Sequence, residues 1–132
     1  MLIPATRYRD PEAALAFLRD VLGLGEHAVF RDESGAIVHA QMRCGTGLFM
    51  FGPEGRGGFD RFMVAPDAVG GRETTTVYAV VEDVVARHDR AVAAGARVVM
   101  PLEPQPHGGQ SFSVADPEGH LWTFGDYDPL VE

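Results

Sequence analysis

The sequence follows one plan twice, and this repetition limits what the chain can fold into. In the first half, residues 6–10 form a predicted strand that ends at Asp10, and a helical segment then runs to Gly23. In the second half, residues 79–83 lead in the same way into a helical segment that ends at Gly95. An internal repeat indicates a fold built from similar units. Because 132 residues is the size of one domain, we expect both units within a single domain, residues 1–132.

The helices are marked by signals at their ends. The carboxylate of Asp10 is placed to cap the free amides of the first turn, and Pro11 fits the first helical position, where no N–H is needed. Apolar residues then recur at helical spacing and predict one buried face: Ala14, Phe17, Leu18, Val21 and Leu22. The same order of signals predicts that Asp83 begins the second helix in the same way.

Three short strands are predicted after each helix. They fall near 28–32, 36–43 and 47–51 in the first half and near 97–102, 111–115 and 120–125 in the second. The pattern predicts an α+β fold of two tandem βαβββ modules, at about 1–53 and 74–127. A glycine-rich connector at 54–73 joins them, and it is long for a structureless loop, so we expect a lid or a tether.

The charge balance argues against several classes of function. The chain has 11 basic residues, all arginine, and 19 acidic residues, for a net charge of −8. No basic face is visible, so nucleic-acid binding is not expected. The apolar runs are too short to cross a membrane, and the N-terminus lacks a secretory signal pattern. Cys44 is the single cysteine, so no internal disulfide forms, and we expect a cytoplasmic protein.

Several segments, taken in order, resemble a known family. They are residues 7–14, 37–43, 77–84 and, most specifically, 116–125, which reads DPEGHLWTFG. Together they resemble the vicinal-oxygen-chelate superfamily of glyoxalases, dioxygenases and bleomycin-resistance proteins, most closely its PhnB-like branch. The resemblance implies two curved mixed sheets around a U-shaped cavity, helices on the convex side, and a homodimer.

The same resemblance implies where a metal would be held. Enzymes of this superfamily bind a divalent ion with His, Gln or Glu side chains inside the cavity, and the ion polarises two adjacent substrate oxygens. The corresponding positions here are Ile3, Thr76, Thr123 and one of residues 50–52. None of these side chains offers a carboxylate or an imidazole. We therefore expect neither a metal nor another cofactor.

Strand alternation predicts which side chains point into the cavity. If the face that carries Val38 and Ala40 packs against the helix, His39 and Gln41 face the cavity. The expected ligand pocket is lined by Ile3, Ala5, Arg7, His39, Gln41, Met50, Thr76, Tyr78, Leu121 and Thr123. Three connector residues are expected to close over it or to contact a second subunit: Phe59, Phe62 and Met63. Trp122 is predicted in the core, and His120 is expected to bond to the backbone of its own hairpin.

These patterns leave three functional hypotheses. The favoured one is a metal-independent protein that binds a small molecule, resembling drug-sequestering resistance proteins. The second is a metal-dependent lyase, isomerase or dioxygenase, with His39 and Gln41 as the first suspected ligands. The third is an interaction module whose cavity is vestigial. A mostly apolar lining with a few polar groups is the usual composition of a small-molecule pocket, and this favours the first.

Overall fold

The computed structural model describes residues 1–131 and has the predicted α+β architecture. The first module contains β1 (Ala5–Tyr8), α1 (Pro11–Ala16), β2 (Gly25–Arg31), β3 (Ile37–Cys44) and β4 (Gly47–Pro53). The second contains β5 (Val77–Val80), α2 (Val84–Ala93), β6 (Arg97–Pro104), β7 (Gln110–Ala115) and β8 (Leu121–Gly125). The chain thus follows the βαβββ order twice, as the sequence predicted.

Each module forms one four-stranded mixed sheet. The strand orders are β1-β4-β3-β2 and β5-β8-β7-β6, so the two sheets have the same topology. The first strand of each module pairs in parallel with the last, and the other pairs are antiparallel. A parallel pair needs a long crossover connection, which the helix and the hairpin strands of the module supply.

The first helical segment, which was expected to run as one helix to Gly23, has two parts. Asp10 caps it as predicted, because its Oδ1 accepts the N–H of Ala13 at 3.0 Å. After Ala16 the chain continues as a π-helical turn over Phe17–Val21, in which Leu22 N–H donates to the Phe17 carbonyl. The extra residue in this turn shifts the buried face, so Leu18 and Leu22 are buried while Phe17 is half-buried.

The second helix begins differently from the first. Asp83 makes no side-chain cap hydrogen bond in the described structure, although the sequence predicted one. Its Oδ1 instead lies 2.8 Å from Nε of Arg87, one turn further along the helix. A carboxylate close to the N-terminus of a helix still interacts favourably with the helix dipole, so Asp83 stabilises the start of α2 without a cap hydrogen bond.

A single hydrophobic core spans both modules. The rings of Phe49 and Trp122, one from each module, lie 4.6 Å apart between centroids and are nearly perpendicular. Trp122 is only 2% exposed. Because the two sheets share these contacts, neither module buries its helix-bearing face alone.

A polar cluster, which we call the seam, joins the modules beside this core and consists of Tyr8, Asp116, His120 and Trp122. Tyr8 donates its hydroxyl to Asp116 Oδ2 at 2.5 Å, and Trp122 Nε1 donates to the same oxygen at 3.2 Å. The other oxygen, Oδ1, accepts the backbone N–H groups of Glu118 and His120. The Asp116 carboxylate therefore shapes its own turn and connects it to module one.

The neighbouring carboxylate extends this connection. Glu118 accepts the backbone N–H groups of Arg9 and Asp10, at 2.8 and 3.0 Å. These amides lie just before α1 and have no partner within the helix. The most specific sequence segment thus holds the start of the first helix from the other module.

Candidate ligand-binding site

The connector contains two short 3₁₀ helices, Gly58–Phe62 and Pro66–Val69, and is attached to both modules. Asp67 forms an ion pair with Arg9. Pro66 is buried against the turn at Gly119, where an added Cβ would lie 3.2 Å from Pro66 Cβ. Gly119 also has a φ of +94°, a backbone conformation that strongly favours glycine, and a larger residue would in addition press on Pro66.

A third attachment follows at the end of the connector. Glu73 Oε1 lies 2.9 Å from His120 Nδ1, and Glu73 Oε2 accepts the N–H of Leu121 at 3.2 Å. Both the Glu73 and His120 side chains are 14% exposed. The expectation that His120 bonds to the backbone of its own hairpin is therefore wrong. Its ring holds the connector and lies 3.4 Å from Thr6 Oγ1.

A cleft of about 350 Å³, the connector cleft, lies between the attached connector and the two modules. Four apolar residues of the connector, Phe62, Met63, Val64 and Val69, form one wall of the cleft, here called the connector wall. The module side carries Phe49, Trp122, Val77 and Leu121, and the remaining lining is Pro4, Ala5, Thr6, Arg72, Glu73, Thr74, Thr75, Thr76 and His120. An apolar cleft of this size with a few polar groups is typical of a small-molecule site.

A small recess, the annex, adjoins the connector cleft and has a volume of about 10 Å³. It shares Thr6, Met63, Val64 and His120 with the cleft and adds Arg7, Glu54, Asp60 and Ala65. Within residues 1–131 no donor bonds to Asp60 Oδ1, although that atom is buried. A buried acceptor without a partner costs about 1–3 kcal/mol, so this oxygen favours any donor that reaches the annex.

The sheet faces that point away from the helices are called the outer faces here, and they are the faces that the sequence assigned to the cavity. They carry most of the remaining predicted residues. In the first sheet, the register aligns Ala5 with Met50 and Met50 with Gln41. In the second, it aligns Tyr78 with Thr123, which is aligned in turn with Ser113. These two sets of aligned residues occupy equivalent places in the two modules. Their side chains form hydrogen bonds on the same strand or with the adjacent strand.

Two hydrogen bonds illustrate these local contacts. Gln41 Nε2 lies 3.1 Å from His39 Nε2, two residues away on the same strand. The hydroxyl oxygens of Ser113 and Thr123 are 2.6 Å apart across β7 and β8. All four side chains are partly exposed, so they remain within reach of solvent and of any ligand on the outer faces.

The structure separates the predicted pocket and lid residues into three groups. Ala5, Thr76 and Leu121 line the connector cleft together with Phe62 and Met63. Arg7 lines the annex, and Phe59 is exposed beside it, 5.9 Å from the Arg7 guanidinium carbon. The other predicted residues lie outside the cleft. Ile3 precedes β1, and Tyr78 lies beside an open groove, where its hydroxyl donates to the Tyr127 carbonyl at 2.7 Å. The remaining four lie on the outer faces: His39, Gln41, Met50 and Thr123.

The positions implied for a metal do not form a binding set. The register places Met50 and Thr123 at equivalent places of the two sheets, and neither provides a strong ligand for a divalent ion. Ile3 and Thr76 lie outside the strands and likewise offer no carboxylate or imidazole. Across residues 1–131 no group of three or more His, Cys, Asp or Glu side chains is arranged to hold a metal ion. The donors present therefore do not fit the metal of the superfamily's enzymes.

Burial sets the protonation behaviour of the seam. Burial raises the pKa of the Tyr8 hydroxyl far above its usual value, and the nearby Asp116 carboxylate raises it further. Burial also raises the pKa of Asp116, although the hydrogen bonds from Tyr8 and Trp122 oppose this shift. Every oxygen of this cluster has a partner from the protein itself. The seam is therefore a structural element, and the unsatisfied oxygen lies in the annex.

Several cleft residues have no local sequence pattern that would predict a binding site. Phe49 and Trp122 have the alternation of core residues, and they border the cleft only because the modules meet beside it. Glu73 looked like an ordinary connector carboxylate, and Asp60 had no motif around it. The run Thr74-Thr75-Thr76 was the one available signal, since three hydroxyl side chains before a strand are unusual among apolar neighbours.

Comparison with known proteins identifies the family. Residues 4–124 match the model of the glyoxalase/bleomycin resistance protein/dioxygenase superfamily. The chain belongs to this superfamily. A further sequence relative is an uncharacterized protein of Mycobacterium bovis, 37% identical over 94 residues, which cover 69% of this chain and 59% of that protein. The chain thus spans little more than half of that relative's length.

Solved structures support the same assignment. TioX from Micromonospora sp. ML1 is 29% identical with a TM-score of 0.72, and the match covers 94% of this chain and 95% of TioX. A bleomycin-binding protein of Streptomyces verticillus, solved with copper(II)-bleomycin, has a TM-score of 0.63 and 20% identity over 96% of this chain and 95% of that protein. The second likeness shows the fold alone.

In residues 1–131 no helix is long and apolar enough to span a membrane.

Proposed function

We propose that this chain is a metal-independent binding protein for a small organic molecule, and that the connector cleft is its binding site. The observation that carries the proposal is the cleft itself, about 350 Å³, in which apolar side chains from the connector and from both modules lie beside a smaller number of polar ones. Five residues that the sequence assigned to the pocket or its lid line it together. The bleomycin-binding protein gives an example of ligand binding on this fold, in that protein.

The connector wall supplies a reason for binding. Phe62 is 71% exposed and Val64 is 60% exposed, so apolar surface stands open to water beside the cleft. A ligand that covers it removes this surface from water, which stabilises the complex by about 25 cal/mol per Å² before the costs of association. The three attachments of the connector hold the wall in place, which lowers the ordering cost of binding.

The test is a titration of protein purified without a metal-affinity tag. A panel of hydrophobic molecules and aromatic cations is screened by thermal shift, and hits are titrated calorimetrically with and without EDTA. We expect saturable binding that EDTA does not change, and a melting temperature that rises with ligand concentration. A stoichiometric divalent ion by elemental analysis, together with binding that EDTA abolishes, would contradict the proposal and favour the enzyme hypothesis.

The chain offers a matched pair of variants to locate the site. Phe59 and Phe62 lie on the same 3₁₀ helix and are both exposed, but only Phe62 lines the cleft. We expect Phe62→Ala to weaken binding about tenfold and Phe59→Ala to change it less than twofold, with little effect on stability in either case. If Met50→Ala or Gln41→Ala weakens binding instead, the ligand lies on the outer face of the first sheet.

The same proposal includes a homodimer and a cytoplasmic location. The homodimer rests on the likeness to the superfamily, and Phe30 and Met100, each about half exposed on the second and sixth strands, are apolar residues that a second copy could cover. Light scattering coupled to size exclusion is expected to give twice the chain mass of 14.3 kDa. A monomer at all concentrations would remove the dimer from the proposal and leave the cleft unaffected. Membership of the PhnB-like branch also remains a proposal, which rests on residues 116–125.

A further inference from the structure

We infer that the ligand of the connector cleft is an apolar molecule that ends in a protonated amine, and that the amine enters the annex and donates to Asp60. This inference rests on the proposed binding function of the cleft. It goes further because it names the chemistry at one end of the ligand and the residue that recognises it.

The first argument is position. The annex opens beside the apolar cleft, and the two share Thr6, Met63, Val64 and His120 as lining residues. A molecule whose apolar body lies against Phe62 and Leu121 therefore has one end next to the annex. The annex volume of about 10 Å³ is close to the space needed by one water molecule. An ammonium group is of similar size, whereas a carboxylate or a ring is larger.

The second argument is an unsatisfied acceptor. The described residues provide no donor for Asp60 Oδ1, which is buried at the connector's first 3₁₀ helix. The seam shows the opposite situation, since each oxygen of Asp116 accepts two hydrogen bonds from the protein. Buried carboxylate oxygens are normally satisfied, so an exception next to a ligand-sized cleft indicates a partner from outside the chain.

The third argument is charge. Arg7, Glu54 and Asp60 are the formally charged side chains of the annex, and they sum to −1. Arg7 makes no ion pair within 4.0 Å in the described structure; its guanidinium lies over Gly52 and beside Phe59. Glu54 has only a long contact of 3.9 Å with Arg9. The whole chain carries −8, so a cation is attracted at long range and then meets a local excess of one carboxylate.

The hydrogen-bonding groups on the shared lining do not compete for Asp60. His120 is engaged with Glu73 through Nδ1 and lies near Thr6 through Nε2. Met63 and Val64 have apolar side chains. The arrangement therefore leaves Asp60 and Glu54 as the annex carboxylates that an entering donor reaches, and of these two Glu54 is exposed whereas Asp60 Oδ1 is buried without a partner among the described residues. The hydrogen bond would join an ionised donor to an ionised acceptor, which is the stronger class.

The test uses three probes with the same apolar body, titrated calorimetrically at pH 7. They are 2-(naphthalen-2-yl)ethylamine, which is protonated, 2-(naphthalen-2-yl)ethanol, which is neutral, and naphthalene-2-acetate. We expect the amine to bind at least tenfold more tightly than the alcohol, and the acetate to bind most weakly. Equal affinity of amine and alcohol for the unaltered protein would overturn the inference.

Two variants separate the hydrogen bond from the general field. Asp60→Asn and Glu54→Gln each remove one negative charge from the annex lining. Only Asp60→Asn changes the residue that carries the buried oxygen Oδ1. We expect Asp60→Asn to reduce the preference for the amine to less than twofold, while Glu54→Gln retains at least a fivefold preference. Equal losses in both variants would mean that the local field alone selects the amine, and the assignment to Asp60 would fail.

The Phe62→Ala variant distinguishes this inference from the proposed function. It is expected to weaken all three probes to a similar degree, because it removes part of the shared apolar wall. If Phe62→Ala weakens the alcohol while the amine shows no advantage, the inference fails and the cleft still binds ligands. If neither these probes nor the wider panel binds saturably, both fail. Thermal melts of each variant check that the fold is kept.

Discussion

The seam between the modules and the outer faces of the sheets contain similar polar side chains in different surroundings. At the seam, Tyr8 and Trp122 donate to Asp116 across 108 and 6 positions of sequence, and all three are buried. On the outer faces, Gln41 contacts His39 two positions away, and both are partly exposed. The comparison teaches that a polar residue in this fold is structural where partners from both modules surround it. It is available to a ligand where its partners are local.

The largest expected effect tests the seam. Asp116 accepts four hydrogen bonds with two oxygens, and asparagine retains one oxygen, so Asp116→Asn leaves two donors facing an NH₂ group. We expect the free energy of unfolding to fall by about 3 kcal/mol, measured by urea denaturation. Asp89→Asn on the exposed side of α2 is the control and is expected to change it by less than about 0.5 kcal/mol. A similar loss in both would remove the distinction between seam and surface.

The second prediction concerns alkaline pH. Folded Tyr8 keeps its proton well above pH 10, whereas an unfolded tyrosine loses it near pH 10. The unfolded state therefore binds fewer protons there, and the stability that Tyr8 contributes is complete below pH 10 and falls as pH rises further. The slope is about 1.4 kcal/mol per pH unit for one proton. We expect Tyr8→Phe to lower the free energy of unfolding by about 2 kcal/mol at pH 7 and to remove its decline above pH 10.

Denaturation curves of the unaltered protein and Tyr8→Phe at pH 7, 9, 10 and 11 measure the difference directly. The two curves of stability against pH should approach each other above pH 10, because only the unaltered protein loses the Tyr8 contribution. A constant difference at all pH values would show that Tyr8 ionises normally, and that its burial at the seam is not maintained.

A smaller effect is expected at the edge of the seam, where the connector is attached. Glu73→Gln weakens the contact with His120 and keeps an acceptor for Leu121 N–H, so the expected loss is about 1 kcal/mol. Hydrogen exchange over residues 58–69 should become faster, since the connector wall loses one of its attachments. Glu54→Gln, an exposed connector carboxylate, is the matched control and should leave this exchange unchanged.

The smallest effect is expected on the outer face of the second sheet. Ser113 and Thr123 share one hydrogen bond between partly exposed hydroxyl groups, and water can replace either partner. Ser113→Ala is expected to change the free energy of unfolding by less than about 0.5 kcal/mol. A loss above 2 kcal/mol would mean that this face is covered, for example by a second copy of the chain, and would sharpen the dimer proposal.

Part of the site was predictable from alternation, and part was not. The period of two along β3 correctly separates Ala40, which is buried, from Gln41, which is partly exposed. On β4 the sequence left the register open among residues 50–52, and the pairing of Gln41 with Met50 settles it. Sequence order assigned Phe62 and Met63 to a lid, and both line the cleft. The attachment of Glu73 to His120 was missed because it joins residues 47 positions apart, and no local pattern encodes such a contact.

The helix ends show the same limit at shorter range. The Asp-Pro pair at residues 10 and 11 specifies a capped start, because the cap bond forms within four residues. Asp83 occupies the equivalent place, yet its carboxylate bonds to Arg87. Arg87 also donates to the Leu22 carbonyl of module one at 2.9 Å, so the packing of the modules positions its guanidinium. Competition between a cap and a distant partner is decided by that packing.

The repeated βαβββ order and the core faces of the strands follow from periodicity and local turn chemistry, and the family follows from the resemblance of residues 7–14, 37–43, 77–84 and 116–125. Within residues 1–131, long-range packing satisfies both oxygens of Asp116 at the seam and leaves Asp60 Oδ1 unpaired and buried beside a cleft. Asp116 precedes a turn, and Asp60 lies within a short 3₁₀ helix. Their difference depends on which donors the packed modules and the connector bring within hydrogen-bonding distance, and this long-range packing has no signal in the local sequence.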